Sequence, residues 1–460
     1  MDKSTLYFSE HHLSHAASAF YPSPFKKAAV LCLDGVGEWA TSTTWLGDGK
    51  DLKAISQINY PHSLGLLYSA FTYYCGFKVN SGEYKLMGLA PLGKPKYVDL
   101  IMENLVDVKE DGSFYLNLTY FNYTRGLTMI NEEFENLFGH PKRTPESLID
   151  QFYKDVAASI QHVTETIILK MVKYLKEVTQ VDNLCMAGGV ALNCVVNGKI
   201  RETKIFKSVW VQPAAGDAGG ALGAALALYY NGDVTRKIEE KDSMKGALLG
   251  PMASRSETEN ILSNENIKYK NCSYCELASL IEQGSVVGFY TGRMEFGPRA
   301  LGSRSIIANA KIPDIQKIIN LKIKKRESFR PFAPIVLAED YHRYFVSNYD
   351  APYMQFTDYI QSDQFPGVTH VDGSCRVQSV SKEKSPEFYQ LLNEYKKLTG
   401  ESVLINTSFN VRGEPIVCSV KDAISCFMRT DLDYIFLNGF LVDKKDCSEL
   451  QVDEVYFGAD

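Results

Sequence analysis

The chain has 460 residues, 45% apolar and 23% charged, with a net charge of −6, the composition of a soluble globular protein long enough for two or three domains. The acidic balance argues against a general nucleic-acid binder, and the longest apolar runs fall short of the roughly 20 residues a membrane span needs. Ten cysteines are scattered, several inside apolar runs (Cys32, Cys185, Cys194), so buried reduced thiols and a cytoplasmic location are expected, and the opening Met-Asp-Lys-Ser-Thr carries no secretory pattern.

In chain order, His11-His12-Leu13-Ser14-His15 runs into small residues that suit a helix. There His11 and His15 stand at i and i+4 on one face, the spacing that chelates a metal. A lone histidine is usually structural, but three in five residues point to a metal site. Next, an apolar strand from residue 28 ends at Asp34-Gly35, turns, and resumes through Thr44-Trp45-Leu46. A carboxylate above such a turn is a candidate metal or phosphate ligand, and a plain turn former is the alternative. Residues 61–93 read as helix and turn, with Glu83 and Lys85 as an ion pair or as site residues, and 104–145 as an inserted hairpin with loops. Leu148, Phe152, Val156, Ile160, Val163, Ile167, Met171 and Leu175 mark a long amphipathic helix over 147–178.

A strand then meets Gly188-Gly189 and a helix near Asn193, a junction against which a nucleotide can lie. A second strand–turn–helix unit carries Asp217 at its mouth, as the first carries Asp34. Repeated units of this kind predict an actin/hexokinase-like α/β domain, followed by a polar linker at 231–247.

The second half opens on a capping-box-like Ser256-Glu-Thr-Glu259 and a helix, then a helix over 275–283 and a strand over 285–290. A basic block follows, with Arg293, Arg299, Arg304, Lys322, Lys324, Lys325, Arg326 and Arg330 interleaved with Met294, Phe296, Pro298, Leu301, Phe329 and Phe332. Arginine forks and glycine-exposed backbone N–H groups in this setting point to an anion site. A helix over 386–399 leads to a strand that breaks into the polar loop Asn406-Thr407-Ser408-Phe409-Asn410, and a helix over 421–429 precedes a closing strand over 434–442.

These motifs make the chain resemble the O-carbamoyltransferases of nodulation-factor and antibiotic biosynthesis. They are His-His-Leu-Ser-His at 11–15, Asp-Gly-Val-Gly-Glu-Trp at 34–39, Glu-Tyr-Lys-Leu-Met-Gly-Leu-Ala-Pro at 83–91 and Gly-Gly-Val-Ala-Leu-Asn at 188–193. Further on stand Gly-Arg-Met-Glu-Phe-Gly-Pro-Arg-Ala-Leu-Gly at 292–302, the block at 324–334 and Asn-Thr-Ser-Phe-Asn at 406–410, in colinear order over nearly the whole chain. The resemblance implies an actin-like domain over 1–240, shared with the tRNA threonylcarbamoyl-transfer enzymes, and a YrdC-like domain over 241–460. In it, carbamoyl phosphate and ATP yield a carbamoyl-adenylate, and a hydroxyl of a small-molecule acceptor takes the carbamoyl group.

By the same resemblance, His11, His15, Asp34 and Asp217 are ligands of Fe(II) or another divalent metal, and Mg accompanies ATP. Arg299, Lys324, Arg330, Arg376 and Ser408 hold carbamoyl phosphate and nucleotide, with Arg293 and Asn406 as neighbours, and Gly188, Gly189 and Asn193 lie against the adenosine. The family carries a segment ahead of its metal histidines, so the resemblance implies a first domain incomplete at its start. A homo-oligomer or a separate N-terminal fragment is then an expected partner. Two alternatives stay open: a threonylcarbamoyl-type tRNA-modification enzyme, and a truncated, non-catalytic nucleotide-binding protein.

Overall fold

The computed structural model describes residues 6–326 and 330–447, so Phe329 of the basic block lies outside the described residues. The chain divides into two compact units, Met1–Ser243 and Met244–Asp460. Both are α/β. No helix among the described residues is long and apolar enough to cross a membrane.

The first unit is built on a strand with no solvent face. After helix α1 (His11–Phe20), strand β1 (Lys27–Gly37) has seven consecutive buried residues, the continuous apolar run of a central strand covered on both sides. Strands β2 (Ala40–Asp48) and β3 (Asp51–Asn59) complete an antiparallel meander. Helices α2 (Leu64–Tyr74), α3 (Glu83–Leu89) and α4 (Val98–Asn104) follow, then the small hairpin β4 (Val106–Val108) and β5 (Phe114–Leu116), and helix α5 (Glu132–Phe138). The 29-residue helix α6 (Gln151–Thr179) leads to β6 (Asn183–Ala187), α7 (Cys194–Thr203), β7 (Ser208–Val211) and α8 (Asp217–Asn231). The sheet runs β3-β2-β1-β6-β7, with β6 and β7 parallel to β1. An antiparallel hairpin arm extended by parallel strands through helices is the actin-like arrangement expected from the sequence.

Three expectations change here. Strand β1 does not stop at Asp34-Gly35: it bulges between Leu33 and Gly37, and Gly37 still pairs with Ala40. Asp34 is therefore a residue within a strand, and the turn falls on Glu38-Trp39. Leu148, 94% exposed, is not part of the α6 stripe. The helix starts later, where the Asp150 side chain caps the N–H of Tyr153. Residues 83–89 form a helix rather than a turn, and Lys85 is buried within it.

Arg236, in the segment expected to be a plain linker, is 7% exposed. Its guanidinium donates to the carbonyls of Phe20, Tyr21, Ser23, Phe25 and Gly49, and lies 4.3 Å from the Phe20 ring centroid. It ties off the end of α1.

The second unit opens with α9 (Arg255–Asn264), whose capping box is Ser254 with Glu257, two residues ahead of the expected position. Strand β8 (Lys270–Asn271), helix α10 (Tyr274–Glu282) and strands β9 (Val287–Tyr290) and β10 (Arg304–Asn309) follow. Cys272 and Cys275 flank the start of α10, the first buried and the second exposed, both free thiols. Next come α11 (Ile315–Ile318), β11 (Ala333–Leu337), α12 (Tyr341–Tyr344), the pair β12 (Thr357–Tyr359) and β13 (Ser374–Arg376), and β14 (Gln378–Val380). Helix α13 (Pro386–Thr399), β15 (Leu404–Ser408), α14 (Val420–Met428), β16 (Tyr434–Leu437) and β17 (Phe440–Asp443) complete the unit.

Eight strands form one sheet in the order β14-β11-β15-β10-β9-β16-β17-β8. Alternation along β10 sends Ile306 and Ala308 into one core and Ile307 into the core on the other face. The closing strand expected over 434–442 is a hairpin instead. Asn438 (φ 48°) and Gly439 (φ 94°) form its two-residue turn, the Asn-Gly signal of a type I′ hairpin.

Candidate metal centre and the basic loop

Four predicted residues from three elements meet in the first unit. Nε2 of His11 and His15 and one carboxylate oxygen each of Asp34 and Asp217 lie within 4.8 Å of one another. The two Nε2 atoms are 3.0 Å apart. Asp34 Oδ2 is 3.1 Å from His11 and 3.3 Å from His15, and Asp217 Oδ1 is 3.4 and 3.6 Å from them. Donors about 2.1 Å from a shared cation stand about 3.0 Å apart along an octahedral edge and about 3.4 Å along a tetrahedral one. The observed spread fits one ion. Two carboxylates carry the charge a divalent cation neutralises, and an N/O donor set suits a first-row transition metal.

The placement of each ligand follows from local structure. His11 and His15 stack as successive turns of α1, as their spacing predicted. Asp217 is the first residue of α8 and is mostly exposed. Asp34 rises from the β1 bulge, and its other oxygen, Oδ1, accepts the N–H of Gly189 at 3.0 Å. Gly188, at φ 88°, has no room for a side chain: a Cβ there would lie 2.1 Å from the Leu33 carbonyl oxygen. The Gly-Gly turn thus holds the carboxylate of a candidate ligand. Asn193 caps α7 by accepting the N–H of Val196 and exchanges hydrogen bonds with Gln161.

Burial pushes the Asp34 carboxyl up, but hydrogen bonds from His11 and His15 outweigh it and hold it well below the usual carboxylate range. The hydrogen bond to Asp34 raises His11 against the lowering effect of burial. His12 points away, with Nδ1 on Thr43 Oγ1 at 2.9 Å, and burial lowers its imidazole to about 4. A cleft of about 290 Å³ opens beside the cluster, lined by Ser9, His11, Ser14, Glu38, Asp217 and Gly220.

In the second unit the cations of the basic block have different partners. Arg304 is fully buried, lies 3.6 Å from the Tyr290 ring centroid, and donates to the carbonyls of Thr291, Gly292, Ser303, Pro251 and Cys418. It secures the fold. Arg293 is exposed and donates to the Gly250 carbonyl. Arg326 donates to Asn320 Oδ1 and lies over Phe332.

Lys324 is buried, with Nζ donating to Ser408 O, Ser408 Oγ, Asn410 O and Asn410 Oδ1 at 2.6–3.2 Å. Burial drives its pKa well down, and Arg326 and Arg330 add repulsion. Four oxygens around three protons favour the ammonium, and we take the charged form to be the one the loop is built around. Arg330 is buried near it, and its carbonyl accepts Gln316 and Asn320. The structure thus brings Lys324 and Ser408 together, with the charge of Arg330 felt at Lys324. Asn406 Nδ2 donates to the carbonyl of Ala300, next to Arg299, and to Gln378 Oε1. Arg376 ends β13 opposite Thr357.

Glu295 was not singled out in the sequence. It is 5% exposed, and its Oε1 accepts the N–H groups of Leu301, Ser303 and Arg304 at 2.7, 2.7 and 3.2 Å. Three N–H groups that the glycine-rich pattern suggests for an incoming anion are taken by the chain's own carboxylate. Only an acid six residues upstream of a turn marks this in the sequence, and no local pattern distinguishes it from a surface charge.

Residues 1–226 match the carbamoyltransferase N-terminus family, and residues 278–444 match the carbamoyltransferase C-terminus family. The chain is 51% identical to an uncharacterized protein of Synechocystis sp., over 96% of this chain and 77% of that one. It is 36% identical to nodulation protein NolNO of Sinorhizobium fredii, over 97% of this chain and 65% of that protein. With nodulation protein NolO of Bradyrhizobium diazoefficiens it shares 35% identity, over 95% of this chain and 79% of the relative. Among solved structures, HypF in its phosphate- and nucleotide-bound form aligns with a TM-score of 0.28 and 17% identity, over 37% of this chain and 25% of that one. With both family domains matched in order and relatives matched along nearly its whole length, the chain belongs to the carbamoyltransferase family, and carbamoyl transfer is its class of chemistry.

Proposed function

We propose that the chain is an ATP-dependent O-carbamoyltransferase. In the second unit, carbamoyl phosphate is hydrolysed to carbamate and phosphate. A carbamate oxygen then attacks the α-phosphorus of MgATP, releasing pyrophosphate and leaving carbamoyl-adenylate. In the first unit, a hydroxyl oxygen of a small acceptor attacks the carbamoyl carbon, AMP departs, and the hydroxyl proton is lost. Carbamoyl phosphate and ATP carry several negative charges, and Arg299 and Arg330, with Arg376 and Arg293 as neighbours, supply cationic forks for them. Lys324 fixes Ser408 and its loop, with Asn406 behind them. Gly188, Gly189 and Asn193 lie toward the adenosine.

His11, His15, Asp34 and Asp217 would hold Fe(II) or another divalent ion. When bound, such an ion supplies Lewis-acid polarisation of a carbonyl or phosphoryl oxygen. The chain's own contribution is to fix the donor geometry in advance, with Asp34 held by Gly189. The observation that supports the reading most is the convergence of four motif residues from α1, β1 and α8 at one point, in a chain of this family.

The test is pyrophosphate release from ATP. It should depend on carbamoyl phosphate and fall sharply in Arg299→Ala and Lys324→Ala, each charge-assisted contact contributing on the order of 2–4 kcal/mol. Release that ignores carbamoyl phosphate, or that neither substitution alters, sinks the assignment.

A further inference from the structure

The loop that carries Arg299 is folded around an internal carboxylate, and the backbone on the C-terminal side of Arg299 is held by several hydrogen bonds. Glu295 Oε1 accepts three N–H groups, from Leu301, Ser303 and Arg304. From the sheet side, Gln378 Nε2 donates to the Leu301 carbonyl at 2.8 Å, and Asn406 Nδ2 donates to the Ala300 carbonyl at 3.1 Å. Gly302 N–H bonds Ser305 Oγ, and Phe296 N–H bonds the Ala247 carbonyl. The residues on the C-terminal side of Arg299 are therefore gripped from two directions, by an anion on one side and an amide pair on the other.

Glu295 Oε2 is buried without a hydrogen-bond partner. A carboxylate with one oxygen triply bonded and the other unmet does not have the balanced solvation of a purely structural ion pair. Its organising work is done through one oxygen, the only atom the loop needs. An amide oxygen at the same reach would serve as well.

We propose that Glu295, seconded by Gln378, is a positioning residue that sets where Arg299 meets the phosphate of its substrate. The inference rests on the role given to Arg299 under the proposed function. It also takes the N–H groups of 301, 303 and 304 out of anion capture, since they are already occupied.

The test uses the full chain and two readouts: the Michaelis constant for carbamoyl phosphate in carbamoyl-phosphate-dependent pyrophosphate release, and carbamoyl phosphate binding by calorimetry. Glu295→Gln keeps an oxygen at full length and should stay within about twofold of the parent. Glu295→Asp keeps the charge but shortens the reach, and should weaken carbamoyl phosphate about tenfold with little change in kcat. Placed on an Arg299→Ala background, Glu295→Asp should add less than about twofold, because its effect runs through Arg299. Should Glu295→Asp fail to fold, Gln378→Met, which removes the Leu301 clamp, takes its place with the same expected pattern. Independent, multiplying effects of the two sites overturn the inference, and so does a Gln variant as weak as the Asp variant. If Arg299→Ala alone leaves carbamoyl phosphate affinity unchanged, the proposed function fails at this site and the inference falls with it. An intact Arg299 effect with an inert Glu295 sinks the inference alone.

Discussion

The N–H of Gly189 donates to Oδ1 of Asp34 across 155 positions of sequence. One oxygen of that carboxylate faces the two imidazoles while the other is fixed to the main chain. Groups that orient a metal ligand typically contribute 10–100-fold to metal affinity. A Cβ at Gly189 would stand 3.0 Å from that oxygen. Gly189→Ala is therefore expected to weaken binding of a divalent ion on the order of tenfold, and His15→Ala to abolish it, both read by titration with Mn(II). Unchanged affinity in Gly189→Ala would show that the contact orients nothing.

Chelation gives a second check on the same centre. A ligand bound only by the folded chain stabilises it by about 2.7 kcal/mol at 100 times its dissociation constant. Adding a chelator should lower the melting temperature of the parent chain and leave that of His15→Ala in place. Equal shifts in both would place the metal elsewhere.

Arg236 gathers five carbonyls behind α1. Arg236→Met leaves these buried acceptors without their donor, at a cost on the order of 3 kcal/mol. Lysine, with a point charge in place of a planar fork, should recover less than half of the loss. Urea denaturation of the three chains measures this, and a fully stable Arg236→Lys chain would contradict the clasp.

Lys324 presents a related test in the second unit. Lys324→Met strands the oxygens of Ser408 and Asn410, and the loss is expected to be 2–4 kcal/mol. Arg293→Met, at an exposed position, should stay within about 0.5 kcal/mol of the parent.

Of the ten cysteines, Cys275 and Cys418 are exposed and the others buried. A thiol reagent at pH 8 should modify these two quickly and the rest only on unfolding. Burial pushes the Cys75 and Cys185 thiols up to about 12. The unfolded chain gives up these protons first, near the ordinary value of 9. Stability is thus fully present below pH 9 and falls as pH rises from 9 toward 12. A melting temperature flat across that window would contradict the burial.

Sequence patterns revealed the parts of this molecule that are local. Helix α13 fell over the residues expected of it, and the i, i+4 histidines landed on one face. The Asn438-Gly439 turn was equally local, but a continuous apolar reading of residues 434–442 ran through it. Arg304, Arg236 and Glu295 were illegible for another reason. Each is buried because distant backbone groups converge on it, and neither charge nor spacing in the sequence registers such partners. The basic block therefore read as one anion site, although its members have separate duties.

Gly223 allows a final conclusion about the metal centre. A Cβ at that position would lie 1.7 Å from the Ser14 carbonyl oxygen, so α1 and α8 touch main chain to main chain. At that point no side chain stands between the helix bearing His11 and His15 and the helix bearing Asp217. The gap between them is a hard stop, not a cushion. A single methyl group at Gly223 wedges open the spacing between the histidines of α1 and Asp217 of α8.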